Sequence, residues 1–123
     1  MIFFKKRILV VDDEPAICAN LQALLEASGY KVFTAANGIE ALDVARKRKP
    51  HLILLDVKLP MMSGLDVCRN LKQDRATRSI RIVMLTALGM LSDVQHAVQS
   101  GADDYLHKPA DPAKVLEKVK QYT

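Results

Sequence analysis

Short apolar runs recur along the chain, and polar residues stand at or just past the end of four of them. Such runs between polar or turn residues are typical of buried strands in parallel sheets. The runs and their polar ends are 8–11 with Asp12 and Asp13, 52–55 with Asp56, 82–85 with Thr86, and 105–106 with Lys108. Because parallel strands end at the same edge of a sheet, we expect these polar side chains to converge there.

Helical patterns separate the apolar runs, which gives five strand–helix units. The predicted strands are 7–11, 31–35, 51–55, 81–85 and 104–107, and the predicted helices are 15–28, 38–49, 65–72, 92–100 and a last helix from residue 112. Asp111 and Pro112 suit the start of that last helix. Strict alternation predicts an α/β fold, a doubly wound, five-stranded parallel sheet with right-handed crossovers and helices on both faces.

The bulk composition is that of one globular domain, and we expect residues 1–123 to form it. Of the 123 residues, 50% are hydrophobic and 26% are charged. Apolar stretches stay well below the roughly 20 residues of a membrane span, and the first residues do not resemble a signal peptide. We therefore expect a cytoplasmic protein that does not contact membranes. The net charge is +4, but the cations are scattered and aromatics are few, which argues against nucleic-acid binding.

Cys18 and Cys68 are the two cysteines of the chain. Neither belongs to a metal-binding Cys/His pattern, so we interpret both as small buried hydrophobic residues. They fall on the first and third predicted helices, which lie on opposite faces of such a sheet. We therefore expect them to be too far apart to form a disulfide.

The charges of the polar cluster indicate what it could bind and which reaction it could carry out. Asp12, Asp13 and Asp56 would bring three like charges together, which is unfavourable unless a cation is present. Lys108 supplies one positive charge, and oxygen ligands suit Mg²⁺ better than zinc. A carboxylate beside such an ion can attack a phosphoryl group, while Thr86 and Lys108 bind other phosphoryl oxygens. Asp56 is the favoured nucleophile because it stands alone, whereas two adjacent acids suit metal binding.

Each of these residues also has an ordinary structural interpretation. Acids near a helix start are favourable in themselves, and a turn acid, a strand-end threonine, a surface lysine and a core tyrosine are all common. These interpretations do not explain why the polar residues all follow strands that share one edge. Three histidines show no ligand spacing and are given no role: His51, His96 and His107.

In this order the motifs resemble the CheY-like receiver domain of bacterial two-component response regulators. The matching segments are ILVVDDE (8–14), LLDVKLP (54–60), MMSG (61–64), MLTA (84–87), GADDYL (101–106) and KP (108–109). The resemblance covers essentially the whole chain. It implies a flavodoxin-like sheet with the strand order 2-1-3-4-5.

The resemblance also implies a role for each site residue. Asp56 corresponds to the phosphoacceptor. The implied Mg²⁺ ligands are Asp12, Asp13, Asp56 and the backbone carbonyl of Lys58. Beside Asp56, the implied catalytic residues are Thr86, which moves toward the phosphoryl group, and Lys108, the ion-pair partner of that group. The implied switch residues are Thr86 and Tyr105, which turns inward. The Lys108–Pro109 bond is expected to be cis.

The function implied is that of a phosphorylation switch. A histidine kinase or a histidine phosphotransfer protein would donate a phosphoryl group to Asp56 in the presence of Mg²⁺. The face of the fourth helix, fifth strand and fifth helix would then control an effector domain or a target protein. The protein would catalyse only its own phosphorylation and slow dephosphorylation, so it is not expected to be a turnover enzyme. It would act alone or as the receiver part of a longer protein.

Two expectations concern the output face. Leu88, Met90 and Leu91 surround Gly89 after Thr86 and either offer apolar contacts to a partner or pack under the fourth helix. By analogy, a homodimer through this face would pair residues 104 and 118 of two chains.

Three other functions are compatible with parts of the pattern. A phosphohydrolase of the haloacid dehalogenase type uses an aspartyl nucleophile and Mg²⁺, but it carries a D-x-D motif after the first strand. A flavodoxin-like cofactor carrier needs a phosphate-binding loop at that position, whereas residues 12–14 are acidic. A receiver that has lost phosphorylation would lack part of the acid, threonine and lysine set, which is intact.

Overall fold

A computed structural model of the protein describes residues 4–87 and 91–123, without the side chains of residues 91 and 93. Within these residues strands and helices alternate along the chain. Their bounds are β1 Arg7–Val11, α1 Pro15–Ala27, β2 Lys31–Ala35, α2 Gly38–Arg48, β3 Leu52–Asp56, α3 Gly64–Gln73, β4 Arg81–Ala87, α4 Leu91–Gln99, β5 Asp104–Lys108 and α5 Pro112–Tyr122. The predictions for residues 88–90 and for the side chain of residue 91 lie outside the described residues.

The five strands form one parallel sheet in the order β2-β1-β3-β4-β5, which confirms the predicted fold. β1 lies between β2 and β3, so that Val11 is beside Ala35 on one side and Leu55 on the other. The strand order reverses between β1 and β3. In sheets of this kind the crevice at that reversal, outside the carboxyl ends of the strands, is the usual ligand site.

The sheet has an apolar core on each face, because side chains alternate across a strand. Leu9 and Val11 of β1 belong to a cluster that includes residues of α2, α3 and α4. Ile8 and Val10 belong to a second cluster that includes residues of α1 and α5. Strands that are buried on both faces need apolar residues at every position, which explains the continuous runs in the sequence.

Three strands end later than the sequence predicted, and in each the extension includes a polar site residue. β3 includes Asp56, β4 continues through Thr86 to residue 87, and β5 includes Lys108. The ladder accounts for this, since Asp56 is opposite residue 85 and Thr86 is opposite His107. These side chains are therefore held on strand backbone rather than on flexible turns.

The two cysteines lie on opposite faces of the sheet, and both thiols are free. Cys68 is buried as predicted, but Cys18 is only half-buried. Cys18 is near the start of α1, at the carboxyl edge where the core ends, and its Sγ donates a hydrogen bond to the carbonyl oxygen of Asp12 at 3.3 Å. In the described ranges, the helices are too short or too polar to cross a bilayer.

Candidate functional site

Three carboxylates meet at the carboxyl ends of β1 and β3. Asp12, Asp13 and Asp56 each offer an oxygen atom that lies within 4.8 Å of those of the other two. Asp12 and Asp56 are buried, with 1% and 6% of their surface exposed, and Asp13 is exposed. The convergence predicted for these three acids is therefore present in the fold.

Lys108 joins the two buried carboxylates. Its Nζ donates hydrogen bonds to Asp12 Oδ2 at 2.8 Å and to Asp56 Oδ2 at 3.2 Å. The other carboxylate oxygens accept backbone N–H groups, Asp12 Oδ1 from Glu14 and Asp56 Oδ1 from Lys58, at 3.0 and 3.3 Å. Glu14, at the N-cap of α1, makes no capping hydrogen bond with its side chain.

The electrostatics of the cluster follow from burial and from these charges. Burial, together with the neighbouring charge of Asp12, raises the pKa of Asp56 above its ordinary value, although Lys108 opposes the shift. Burial alone would lower the pKa of Lys108, but its hydrogen bonds and ion pairs with the two carboxylates raise it. The ammonium group therefore stays charged, and the cluster retains an excess of negative charge.

The β3–α3 loop closes tightly over Asp56. Gly64 donates its N–H to the carbonyl oxygen of Val57 at 2.9 Å. A Cβ at Gly64 would lie 2.0 Å from the carbonyl oxygen of Asp56, so only glycine fits this position. Met61, in the same loop, has a positive φ of 72° and an exposed side chain. The MMSG motif thus positions the loop beside the carboxylates.

An open cleft of about 480 Å³ lies over the cluster. Asp56, Lys58 and Lys108 line it together with Asp13 and Pro109. The Lys108–Pro109 bond is cis, as the resemblance implied. The cleft is therefore lined by the buried carboxylate of Asp56 and by two lysines.

Thr86 on β4 and Tyr105 on β5 both contact His107. The hydroxyl of Thr86 is fully buried, 3.1 Å from Nδ1 of His107 and 3.4 Å from the carbonyl oxygen of Leu106. The half-buried Tyr105 ring packs edge-on against the His107 ring, with 5.5 Å between centroids. Sequence reasoning gave His107 no role. The spacing of 105 and 107 on one strand, next to Lys108, is the signal that could have found it.

The donor set fits a hard divalent cation. Lys108 is ion-paired with Asp12 and Asp56, and with all three acids ionised these four groups carry a net charge of −2. Oxygen-only ligands with an exposed side for water suit Mg²⁺. The exposed Asp13 and the open cleft provide that side. The backbone carbonyl of Lys58 remains a predicted ligand.

The family model described as the response regulator receiver domain matches residues 8–120. The chain belongs to this family. Receiver domains are the signalling switches of two-component systems, and the predicted recognition is thereby confirmed.

Curated relatives of this receiver domain include regulators about twice its length and a regulator of similar length. It is 48% identical over 115 residues to the alkaline phosphatase synthesis transcriptional regulatory protein PhoP of Bacillus subtilis, covering 94% of this chain and 47% of that protein. It is 44% identical over 114 residues to the DNA-binding dual master transcriptional regulator RpaA of Synechocystis, with 93% and 47% covered. It is 38% identical over 117 residues to the polar-differentiation response regulator DivK of Brucella anthropi, with 95% of each chain covered. The chain thus spans about half the length of the first two.

Solved structures share the fold of this receiver domain. Chemotaxis protein CheY4 of Vibrio cholerae matches with a TM-score of 0.91 and 30% identity, covering 98% of this chain and 100% of that one. The receiver domain of a sensor histidine kinase from Pseudomonas aeruginosa matches with a TM-score of 0.89 and 30% identity, covering 97% and 98%. That second structure has a magnesium ion coordinated in its active site cleft.

Proposed function

We propose that this receiver domain is a phosphorylation switch whose phosphoacceptor is Asp56. The observation that carries the proposal is the position of Asp56, a buried carboxylate that lines the cleft between Lys58 and Lys108. Asp12 is more deeply buried and does not line the cleft with them. The two lysines suit the negative charge of an arriving phosphoryl group. Asp56 is therefore the carboxylate best placed to receive it.

The proposed reaction is a transfer from a phosphohistidine of a histidine kinase or a histidine phosphotransfer protein. A carboxylate oxygen of Asp56 forms a bond to phosphorus, the P–N bond of the donor breaks, and its electron pair returns to the imidazole nitrogen. The product is an aspartyl phosphate. A Mg²⁺ ion held by Asp12, Asp13, Asp56 and the Lys58 carbonyl would supply neutralisation of the phosphoryl oxygens.

Lys108 has two tasks in this proposal. Before transfer it compensates the charges of Asp12 and Asp56, to which it is bonded. After transfer its ammonium group remains bonded to Asp12 and turns toward a phosphoryl oxygen as well. Lys108 thus exchanges Asp56 for the phosphoryl group, and this exchange links the modification on β3 to the carboxyl end of β5.

Thr86 and Tyr105 would communicate the modification. In the unmodified protein the Thr86 hydroxyl is bonded to β5. A phosphoryl group on Asp56 offers it a charged acceptor, and Tyr105 moves into the space that the threonine leaves. The modification biases an existing equilibrium between two arrangements.

The proposed output surface is the α4-β5-α5 face, which would contact an effector domain or a target protein. Homodimerisation through this face belongs to the same proposal. The expected pairing of residues 104 and 118 between chains stays a prediction, and within one chain Lys118 Nζ and Asp104 Oδ2 form an ion pair. The pair is internal since α5 runs back beside β5. We place the protein in the cytoplasm and assign it no direct contact with nucleic acid or membrane.

Intact-mass analysis after incubation with acetyl phosphate and Mg²⁺ tests the acceptor. The wild type should gain one phosphoryl group, and Asp56→Ala should gain none. Asp43→Ala is the matched control, because Asp43 is an exposed acid on α2. A wild type that gains nothing, or a gain that persists in Asp56→Ala, contradicts the proposal.

The same samples distinguish a switch from a turnover enzyme. A haloacid dehalogenase-type phosphohydrolase would release phosphate continuously from simple phosphomonoesters. We expect release only at the rate at which the aspartyl phosphate itself decays. Continuous release that requires Asp56 would replace the switch with a hydrolase.

A further inference from the structure

We infer that His107 is a positioning residue that holds Thr86 in its resting orientation and thereby sets how readily the switch turns on. The inference rests on the proposed function, since Thr86 has a signalling task only if it responds to the modification of Asp56. It adds a residue that neither the motif pattern nor the charge accounting assigned.

Both hydrogen-bond partners of the Thr86 hydroxyl lie on β5. Thr86 and His107 are register partners on neighbouring strands. Their Oγ1 and Nδ1 atoms are 3.1 Å apart, and the carbonyl oxygen of Leu106 is 3.4 Å from the same hydroxyl. Because the Thr86 side chain is fully buried, its hydroxyl needs a partner in every orientation it adopts. His107 supplies the shorter of the two contacts.

The two contacts are compatible with a single hydroxyl hydrogen. They form together when the Nδ1–H of His107 donates to Thr86 Oγ1 and the hydroxyl donates to the Leu106 carbonyl. Without the imidazole, Thr86 keeps only the long bond to Leu106. The resting orientation is then less favourable, and an acceptor on the Asp56 side competes more effectively.

His107 also contacts the second residue that is proposed to move. Tyr105 and His107 lie two positions apart on β5, so their side chains share one face of the sheet. Their rings meet at an interplanar angle of 67° with centroids 5.5 Å apart. One imidazole therefore contacts both Thr86 and Tyr105, and a turn of Thr86 toward Asp56 breaks one of these contacts.

The position of His107 makes the inference testable by substitution. The residue is exposed on β5, an edge strand of the sheet, so changing it opens no cavity in the core. His107→Phe keeps a ring for Tyr105 and removes the bond to Thr86. His107→Asn keeps a polar atom near the position of Nδ1. Comparing the two variants distinguishes the effect of the hydrogen bond to Thr86 from the effect of the ring contact with Tyr105.

The first measurement needs no phosphorylation. Three-bond scalar couplings of the Thr86 methyl group report its side-chain torsion in the unmodified, metal-free protein. We expect a single rotamer in the wild type and in His107→Asn, and rotamer averaging in His107→Phe. A single, unchanged rotamer in His107→Phe overturns the inference.

The second measurement is a titration with beryllium fluoride and Mg²⁺, which mimic a carboxylate-bound phosphoryl group. Loss of one hydrogen bond that opposes the active arrangement should tighten apparent binding about threefold to tenfold in His107→Phe. His107→Asn should bind as the wild type does. Equal affinities for all three proteins contradict the role of His107. If the wild type does not bind the mimic at all, the proposed function fails, while the torsion measurement still decides whether His107 holds Thr86.

Discussion

The ammonium group of Lys108 lies closer to Asp12 than to Asp56, at 2.8 Å against 3.2 Å. Asp12 is also the more deeply buried of the two acids. Lys108 is thus bonded chiefly to a residue that is not the proposed phosphoacceptor. The lysine on the edge strand β5 is bonded to Asp12, just past the end of β1, and needs only a small adjustment to contact a phosphoryl group on Asp56.

Replacing this lysine should destabilise the metal-free protein. Lys108→Met leaves two buried carboxylates without their cation, and we expect the free energy of unfolding to fall by about 1–3 kcal/mol. Saturating Mg²⁺ should recover part of the loss by supplying positive charge. Urea unfolding with and without Mg²⁺ measures both effects. Lys120→Met, at an exposed site on α5, should stay within about 0.5 kcal/mol of the wild type.

Removing a proposed metal ligand that is exposed should weaken Mg²⁺ binding without loss of folding. We expect Asp13→Asn to lower the affinity for Mg²⁺ at least about tenfold, since one charged oxygen ligand becomes neutral. Calorimetric titration, or the rise in melting temperature with Mg²⁺, measures the change. Asp43→Asn makes the same change of charge far from the cluster and should bind as the wild type does. Equal affinities for the two variants would remove Asp13 from the ligand set.

The glycine beside Asp56 should be far less replaceable than a glycine in open space. The Cβ of Gly64→Ala would overlap the carbonyl oxygen of Asp56, and we expect a loss of about 3 kcal/mol or more. Gly29→Ala meets no atom within 4 Å, and its positive φ of 95° should cost about 1–2 kcal/mol. Urea denaturation of both variants makes the comparison. Similar losses would show that the β3–α3 loop adjusts to a side chain.

The ion pairs of Asp103 predict part of the acid sensitivity. Asp103 accepts hydrogen bonds from Lys72 Nζ at 2.9 Å, Ile82 N at 2.8 Å and Arg81 at 3.2 Å. Burial opposes ionisation, but these partners hold the pKa of Asp103 below its ordinary 3.8. Because the folded pKa is the lower one, the stabilisation is complete above the unfolded value. It is lost as the pH falls through the folded value.

Asp103→Asn should therefore cost about 1–3 kcal/mol at neutral pH and less as the pH falls below about 4. Unfolding curves from pH 7 to pH 3 give both quantities. Asp43→Asn removes an exposed pair and should change stability by less than about 1 kcal/mol throughout. A constant difference between Asp103→Asn and the wild type over this range would contradict the assignment.

The convergence of the acids was predictable from strand direction together with strand order. Parallel strands share an edge, which places Asp12, Asp56 and Lys108 at one edge of the sheet. The strand order implied by the resemblance then places Asp12 and Asp56 at neighbouring strand ends. The carboxyl ends of β3, β4 and β5 were predicted one or two residues too early, since a polar residue ends an apolar run without ending a ladder.

Contacts that depend on register or on helix packing were not predictable. The bond between Thr86 and His107 requires the exact offset of β4 and β5, which no local pattern encodes. The ion pair of Asp104 with Lys118 within one chain was not predicted; it forms because α5 returns along β5 and brings Lys118 to within bonding distance. Sequence spacing predicts the helices and strands, whereas the partners of Thr86 and Asp104 depend on how those helices and strands pack.

The separation of the two thiols by the sheet has a practical consequence for following this protein in solution. Burial raises the pKa of both Cys18 and Cys68, which slows alkylation of each. Cys68 is shielded in the core as well, so Cys18 is the one expected to react under native conditions. Its sulfur is hydrogen-bonded to the backbone of Asp12. A fluorophore attached there would test for the proposed metal binding and phosphoryl transfer in the natural sequence, without an engineered labelling site.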